Sequence, residues 1–224
     1  MAKSPTTKPA SVHDAAVDAL MALLAERPWG EVSLADVAQR AGVSLADLRG
    51  AYPSTGAILG GFVRRIDLQV LKEGTADLEE GVRERLFDLV MRRLDAMAAH
   101  KAAIRNIRDG LMRDPLGATA FNSLAVTSQQ WTLAAAGVNE TGAAGAARAQ
   151  VLSLAFARIV NVWLDDDEPG QARTLRALDE ELGRLERLAG AADRLKQMAA
   201  PLGRIFDRMK ERRARHEEPP VEAV

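Results

Sequence analysis

The chain has 224 residues, a formal net charge of −1, no cysteine, and a composition that is 47% hydrophobic but only 4% aromatic. The lack of cysteine excludes disulfide bonds, thiol catalysis and cysteine metal sites, and it is consistent with a cytoplasmic location. The near-neutral charge provides no overall attraction to nucleic acid, so any DNA contact needs a local basic patch.

The first ten residues, Met1 to Ala10, are polar and contain no apolar core of signal-peptide length, and we expect them to be disordered. Ser11 and Asp14 have the spacing of a capping box and predict the start of a first helix. From there onward, Leu and Ala recur at helical spacing and no segment alternates as a strand does. The sequence therefore predicts an all-α fold.

Residues 29–54 predict two short helices joined by a tight turn, which is a helix-turn-helix. Ser33 and Ser44 can each cap one helix, and Gly42 can take the left-handed conformation that ends the first one. In the second helix, Leu45 and Leu48 are expected to point inward. A unit of this kind presents its second helix to the major groove of DNA.

The stretch from Val37 to Ser44 reads Val-Ala-Gln-Arg-Ala-Gly-Val-Ser, and Tyr52-Pro53-Ser54 follows it. These residues resemble the N-terminal DNA-binding domain of the TetR family of bacterial repressors. The resemblance implies a TetR-like architecture, with a helix-turn-helix domain at 11–54 and a helical ligand-binding and dimerisation domain at 55–190. It also implies the following DNA contacts: Ser33, Ser44, Leu45, Ala46, Arg49 and Tyr52.

The second helix departs from the pattern of the family. Asp47-Leu48-Arg49 stands where members commonly carry Thr-Leu-Tyr, and Thr55 stands where they carry Lys. A carboxylate at Asp47 would repel phosphates, whereas Arg49 can reach a phosphate or a guanine edge. Two alternatives stay open: Asp47 and Thr55 can abolish DNA binding, or they can change its sequence specificity.

Apolar residues between positions 79 and 136 would line an internal cavity in a TetR-like protein. They can be ordinary core, or they can form a pocket for a small hydrophobic effector such as a lipid, a quinone or an aromatic compound. On the second interpretation, the ligand-binding residues are Phe87, Met91, Ile104, Ile107, Phe121 and Trp131.

The helices predicted at 143–164 and 168–189 carry more apolar surface than one domain needs. By the resemblance they would form a four-helix bundle with a second subunit, giving a homodimer that presents two DNA-reading helices to operator DNA. The predicted interface residues are Val151, Ile159, Leu175, Leu178 and Leu182.

Between these two helices, Asp165-Asp166-Asp167-Glu168-Pro169 suits the positive N-terminal end of a helix, although such a cluster can also suggest a metal site. His13, His100 and His216 have no metal-ligand spacing. We therefore expect neither a metal nor a cofactor. No nucleophile–base pair or phosphate loop occurs, so an enzyme is not expected.

Residues 191–216 predict a basic amphipathic helix, followed by a disordered tail at 217–224. Such a helix can contact a membrane surface or pack on the domain. Trp163 to Pro169, followed by Thr174 and Ala177-Leu178-Asp179, is similar to the C-terminal region of TetR-fold lipid-binding accessory proteins of ubiquinone biosynthesis. Two hypotheses therefore stand: a ligand-responsive transcriptional regulator, with a repressor as the leading form, and an isoprenoid-binding accessory protein.

Overall fold

The computed structural model describes residues 11–74, 79–191 and 194. Over these residues the chain is helical and contains no strand, which confirms the all-α prediction. The helices are α1 Val12–Glu26, α2 Leu34–Ala41, α3 Leu45–Ala51, α4 Thr55–Lys72, α5 Val82–Met97, α6 Lys101–Leu111, α7 Pro115–Ala135 and α8 Gly142–Leu164, with α9 at residues 172–191. Short 3-10 turns at Trp29–Glu31 and Ala98–His100 precede α2 and α6.

The chain divides into two compact units, Met1–Leu182 and Gly183–Val224. All helices up to α8 and the first half of α9 belong to the first unit. The disordered N-terminus predicted at 1–10 and the tail predicted at 217–224 lie outside the described residues. The basic helix predicted at 191–216 also lies outside them, except for residues 191 and 194.

Helices α2 and α3 pack against α1, whose inward side chains are completely buried at Ala16, Leu20 and Leu24. Ser11 caps α1, because its Oγ accepts a hydrogen bond from the Asp14 amide. Because α1 also packs along α6, the helix-turn-helix unit (residues 11–54) shares its core with the helices that follow.

Helix α4 begins directly after the helix-turn-helix unit, where Ser54 Oγ accepts a 3.1 Å hydrogen bond from the Ala57 amide. It packs against α1, α5 and α7. On its solvent side Arg65 forms ion pairs with Asp14 and Asp18 of α1. Helix α4 is therefore held to the helix-turn-helix unit by packing and by charge.

Helices α7 and α8 form an antiparallel hairpin. Asp114 caps α7 with Pro115 at its first position, and Gly137 ends the hairpin's first arm with a φ of 75°. Helix α8 is, by length and composition, apolar enough to cross a membrane, and among the described helices no other meets this test. Core helices pass the same test, and 33% of its most apolar window is already buried in the protein.

The acidic cluster between α8 and α9 caps the start of α9, but the helix begins later in the chain than the sequence predicts. The helix begins at residue 172, not at Glu168. Asp166 is buried, and its Oδ2 accepts hydrogen bonds from the Thr174 amide at 2.8 Å and from Thr174 Oγ1 at 2.7 Å. These bonds hold the pKa of Asp166 below its usual value and satisfy one of the free amides of the first turn.

Candidate functional site

The helix-turn-helix has the local geometry that its sequence predicts. Ser33 and Asp36 form a complete capping box at the start of α2. Gly42 ends α2 in the left-handed conformation, with a φ of 66°, and Ser44 Oγ accepts a 3.0 Å hydrogen bond from the Asp47 amide to cap α3. Each of these features depends on residues no more than four positions apart.

Five of the six predicted DNA contacts lie on the exposed surface of α2 and α3: Ser33, Ser44, Leu45, Ala46 and Arg49. The expectation that Leu45 and Leu48 both point inward is wrong for Leu45. Leu45 is 58% exposed and Leu48 only 2%. The reason is that Leu45 is the first residue of α3, at the exposed start of the helix, whereas Leu48 lies within the helix and is covered by the protein.

Tyr52, the sixth predicted contact, is half-buried. Its ring packs edge-on against His13 of α1, with the ring centroids 5.1 Å apart. A Cβ added at Gly61 of α4 would overlap the Tyr52 hydroxyl, so the ring lies close against α4. Burial raises the pKa of this phenol. The structure thus places Tyr52 where α1, α3 and α4 meet.

Carboxylates occupy the starts of both helices of the motif. Ser33 Oγ donates a 2.7 Å hydrogen bond to Asp36, and Ser44 Oγ donates a 2.6 Å hydrogen bond to Asp47. The bond from Ser33 is the main reason that the pKa of Asp36 lies below its usual value. Both hydroxyl groups therefore already donate inside the protein, and the exposed surface beside them is acidic.

The charge of the helix-turn-helix unit is unusual for a DNA-binding surface. Residues 11–54 contain six carboxylates and three arginines, a formal charge of −3. Arg40 makes two hydrogen bonds to Glu26, at 2.9 and 2.7 Å, and Arg27 lies 3.7 Å from Asp36. Of the three arginines, only Arg49 has no ion pair in the part of the chain that the structure describes.

A cavity of about 400 Å³ lies among α4, α5, α6, α7 and α8. Its walls are mostly apolar, and three of the six predicted ligand-binding residues, Ile104, Ile107 and Phe121, line it. Leu59, Phe62 and Ile66 of α4 add apolar wall that the sequence analysis did not include. The cavity therefore touches the helix that begins at the end of the helix-turn-helix unit.

The other three predicted residues, Phe87, Met91 and Trp131, do not line the cavity. On α5 the cavity is lined by Arg93 and Met97. Met91 precedes Arg93 by two positions, so it lies roughly 200° from Arg93 around the helix axis. Phe87 is also turned away from the cavity. Trp131 is 56% exposed near the end of α7. Apolar residues occur on more than one side of these helices, so hydrophobicity alone does not identify the inner side.

The cavity also has a polar wall, which the sequence analysis missed. Arg93 of α5 and Asp67 of α4 form a buried ion pair with 2.6 Å between Nη2 and Oδ1. Arg93 also donates hydrogen bonds to Ser128 at 2.6 Å and to Thr132 at 3.1 Å, both on α7. Ser128 in turn donates to Asp67 at 2.6 Å. A signal was present, because Asp67 and Arg93 each interrupt the apolar stripe of their helix.

The predicted dimer residues fall into two groups. Val151 is 37% exposed and Leu175 is half-buried, so both retain surface that a partner could cover. Ile159, Leu178 and Leu182 are almost completely buried within one chain, which corrects their prediction as interface contacts. They face the core of their own subunit. Leu154, one turn from Val151 and 50% exposed, was missed.

The backbone is similar to solved structures of TetR-type regulators. The TetR transcriptional regulator from Nitrosomonas europaea matches with a TM-score of 0.61 and 24% identity, over 78% of this chain and 97% of that one. A TetR regulator from Rhodococcus sp. RHA1 matches with a TM-score of 0.53 and 19% identity, over 77% of this chain and 96% of that one. A TetR-family regulator from Streptomyces coelicolor matches with a TM-score of 0.51 and 19% identity, over 84% of this chain and 97% of that one.

These similarities confirm the TetR-like fold predicted from residues 29–54. No protein-family model matches the chain, and no curated protein sequence matches it.

Proposed function

We propose that the protein is a ligand-responsive transcriptional regulator that binds operator DNA as a homodimer in the cytoplasm. The observation that carries the proposal is the combination of a capped helix-turn-helix and an apolar cavity within one compact unit. The fold shared with TetR-type regulators supports it. Regulators of this type are not enzymes, and we assign no catalytic role.

In the proposed complex, α3 enters the major groove. Leu45 and Ala46 lie near base edges, and Arg49 reaches a phosphate or a guanine. Ser33 and Ser44 lie toward the DNA backbone at helix N-termini, whose free amides bind phosphate, and Tyr52 contacts the backbone through the exposed part of its ring. Because the helix-turn-helix unit is acidic, Arg49 provides most of the favourable charge.

Two helices provide the route from ligand to DNA. Helix α4 lines the cavity with Leu59 and Phe62, and its Arg65 pairs with α1. Helix α6 lines the cavity with Ile104 and Ile107 and packs on α1. An effector that moves either helix would change the spacing of the two recognition helices and lower operator affinity, which is the behaviour of an inducible repressor.

The dimer would form through α8 and α9. Val151 and Leu154 are the large apolar residues of α8 that remain exposed, and Leu175 lies on the first half of α9. A two-fold axis through this surface would present two copies of α3 to half-sites one helical turn apart, about 34 Å. The apolar character of α8 is then explained by a subunit interface.

Fluorescence anisotropy with a labelled duplex from the gene's own upstream region tests the proposal. We expect salt-dependent binding that unlabelled random duplex does not compete away. Arg49→Ala should weaken binding and reduce the salt slope by about one. Lys72→Ala, which removes an equal charge from the exposed end of α4, is the matched control and should leave both unchanged. Equal loss with both variants would contradict the proposed reading surface.

The acidic helix-turn-helix unit favours a second candidate, a lipid-binding accessory protein with the same fold. In that case the basic helix predicted at 191–216, most of which lies outside the described residues, would contact a membrane surface. Native mass spectrometry of the purified dimer separates the two candidates. A dimer that carries a lipid, floats with anionic liposomes and ignores the duplex would favour the second one.

A further inference from the structure

The polar wall of the cavity consists of side chains that are almost completely buried. Arg93, Ser128, Gln129 and Ser153 line it, and each is at least nine-tenths buried. Most of the remaining lining is apolar, including Phe62 of α4 and Ile107 of α6, and the less buried Arg108, Asn122 and Asn161 also line the cavity. A molecule that fills this space therefore meets buried hydrogen-bonding groups beside Arg93 and Gln129 and mostly hydrocarbon elsewhere.

Two atoms of the polar wall have no hydrogen-bond partner in the protein: Nε of Arg93, which is a donor, and Oε1 of Gln129, which is an acceptor. Gln129 is 1% exposed and Arg93 is 4% exposed. Buried polar atoms are nearly always paired, because an unpaired one loses its hydration without compensation. Both residues border the cavity, and although the two atoms themselves are covered by the protein, a turn of either side chain toward the cavity would let a ligand there supply the missing partner.

The charges of the wall argue for an uncharged ligand. Arg93 is already neutralised by Asp67. Arg108, the other arginine that lines the cavity, lies 2.9 Å from Asp109 and 3.9 Å from Asp165. A ligand carboxylate would therefore add a negative charge that no further cation of the wall compensates, and burial of an uncompensated charge is strongly unfavourable. A ligand cation would compete with Arg93 for Asp67.

We propose that the cavity binds an uncharged amphipathic molecule, with an apolar body and one hydroxyl or carbonyl head group that hydrogen-bonds to Arg93 Nε and to the Gln129 amide. A hydroxyl group can accept from Arg93 and donate to Gln129, and a carbonyl group can accept from either, because the amide can turn its nitrogen inward. The volume of about 400 Å³ suits a compact ring or a medium-length chain. This inference rests on the proposed function only in taking the cavity as the effector site.

Calorimetric titration of the full chain, without DNA, tests the head group directly. The probes are para-butylphenol, butylbenzene and para-butylbenzoate, which share an apolar body and differ in the head. We expect para-butylphenol to bind about tenfold more tightly than butylbenzene, and more tightly than para-butylbenzoate by at least the same factor. Tighter binding of the benzoate, or no measurable binding of the phenol, would overturn the proposal.

A variant locates the effect on the polar wall. Gln129→Leu removes the orphaned acceptor and keeps a side chain of similar size. It should bring the affinity for para-butylphenol close to that for butylbenzene. The matched control is Gln69→Leu, on the exposed side of α4, which should keep the tenfold preference. A preference that survives Gln129→Leu would contradict the assignment.

The outcome is independent of regulation, because DNA is not in the assay. If the phenol binds as expected and yet never changes operator binding, the ligand class holds and the proposed function fails. If operator binding is established and the benzoate is preferred, the ligand class alone fails.

Discussion

The side-chain amide of Asn106 in α6 donates a 2.7 Å hydrogen bond to the main-chain carbonyl oxygen of Leu24 in α1. Within α1 this carbonyl would accept from the amide four residues later, but that residue is Pro28, which has no N–H. Asn106 therefore supplies the bond that the proline removes. Through it, a helix that lines the cavity is fastened to the first helix of the helix-turn-helix unit.

Asn106→Ala should lower the free energy of unfolding by about 1 kcal/mol or slightly more, because the Leu24 carbonyl loses its partner in a partly buried place. Urea unfolding followed by circular dichroism measures the change. Gln69→Ala, on the exposed side of α4, is the control and should change stability by less than about 0.5 kcal/mol. Equal effects would mean that the bond contributes nothing specific.

Gly110→Ala should destabilise the protein although alanine is the better helix former. A Cβ at Gly110 would lie 2.7 Å from Cβ of Trp29, so α6 or the 3-10 turn would have to move. We expect a loss of about 1–3 kcal/mol in urea unfolding. Gly50→Ala in α3 is the opposite case, since no atom lies within 4 Å of the added Cβ. It should stabilise by up to about 1 kcal/mol.

The ion pair between Asp67 and Arg93 should show strong coupling in a double-mutant cycle. Arg93→Met alone leaves a buried carboxylate without its cation, and we expect a loss of about 3–5 kcal/mol. Adding Asp67→Leu should recover most of that loss, because an apolar pair of similar size needs no charge compensation.

The exposed pair of Arg40 and Glu26 serves as the reference for this cycle, with an expected coupling below about 1 kcal/mol. If the buried pair couples no more strongly than the exposed one, Asp67 and Arg93 do not depend on each other as the geometry indicates.

His100 should make stability depend on pH. Its ring packs edge-on against Phe62, with the centroids 5.0 Å apart. Burial, assisted by the charge of Arg65 and opposed by Asp18, lowers the pKa of His100 from its ordinary value of 6.5. The folded state therefore favours the neutral ring. The stability that the neutral His100 ring contributes is fully present above the pKa of the unfolded state, and it is lost as the pH falls below 6.5 through the lower pKa of the folded state.

Urea unfolding at about pH 7.5 and about pH 5.5 measures this dependence. The wild-type chain should be less stable at the lower pH, and His100→Gln, which does not titrate, should show a smaller difference. A slope that the substitution leaves unchanged would assign the dependence to other groups.

Asp47→Asn should strengthen DNA binding if α3 is the recognition helix. The substitution keeps an acceptor for the Ser44 hydroxyl and removes one negative charge from the face of α3. Because a unit charge near a phosphate in water contributes about 1 kcal/mol, we expect an affinity gain of up to about fivefold in low salt. Glu73→Gln, after the end of α4, is the control in the same anisotropy assay. A gain shared by both variants would point to net charge alone.

The helix-turn-helix could be predicted because its signals are local. Ser33, Gly42 and Ser44 act on backbone groups within a few positions of themselves, so the sequence alone determines their geometry. The cavity residues of α6 were also predicted, because that helix has a single narrow apolar stripe that contains Ile104 and Ile107.

The polar wall of the cavity could not be predicted in the same way. Asp67, Arg93 and Ser128 belong to three different helices, and their contact depends on the rotation of each helix against the others. The same dependence explains why Met91 lies outside the cavity. It also explains why Ile159 and Leu178 are covered by their own chain instead of by a second subunit.

The close approach of Trp29 to Gly110 also limits how this protein could be recombined with its structural relatives. A chimera that joined residues 11–54 to a foreign effector domain would place an ordinary side chain opposite Trp29 and would leave Leu24 without Asn106. The transferable segment is therefore not the first three helices alone. It includes α6, which begins at Lys101, 50 residues after α3 ends at Ala51, so inheritance of a new DNA specificity would require two separated pieces of the gene to move together.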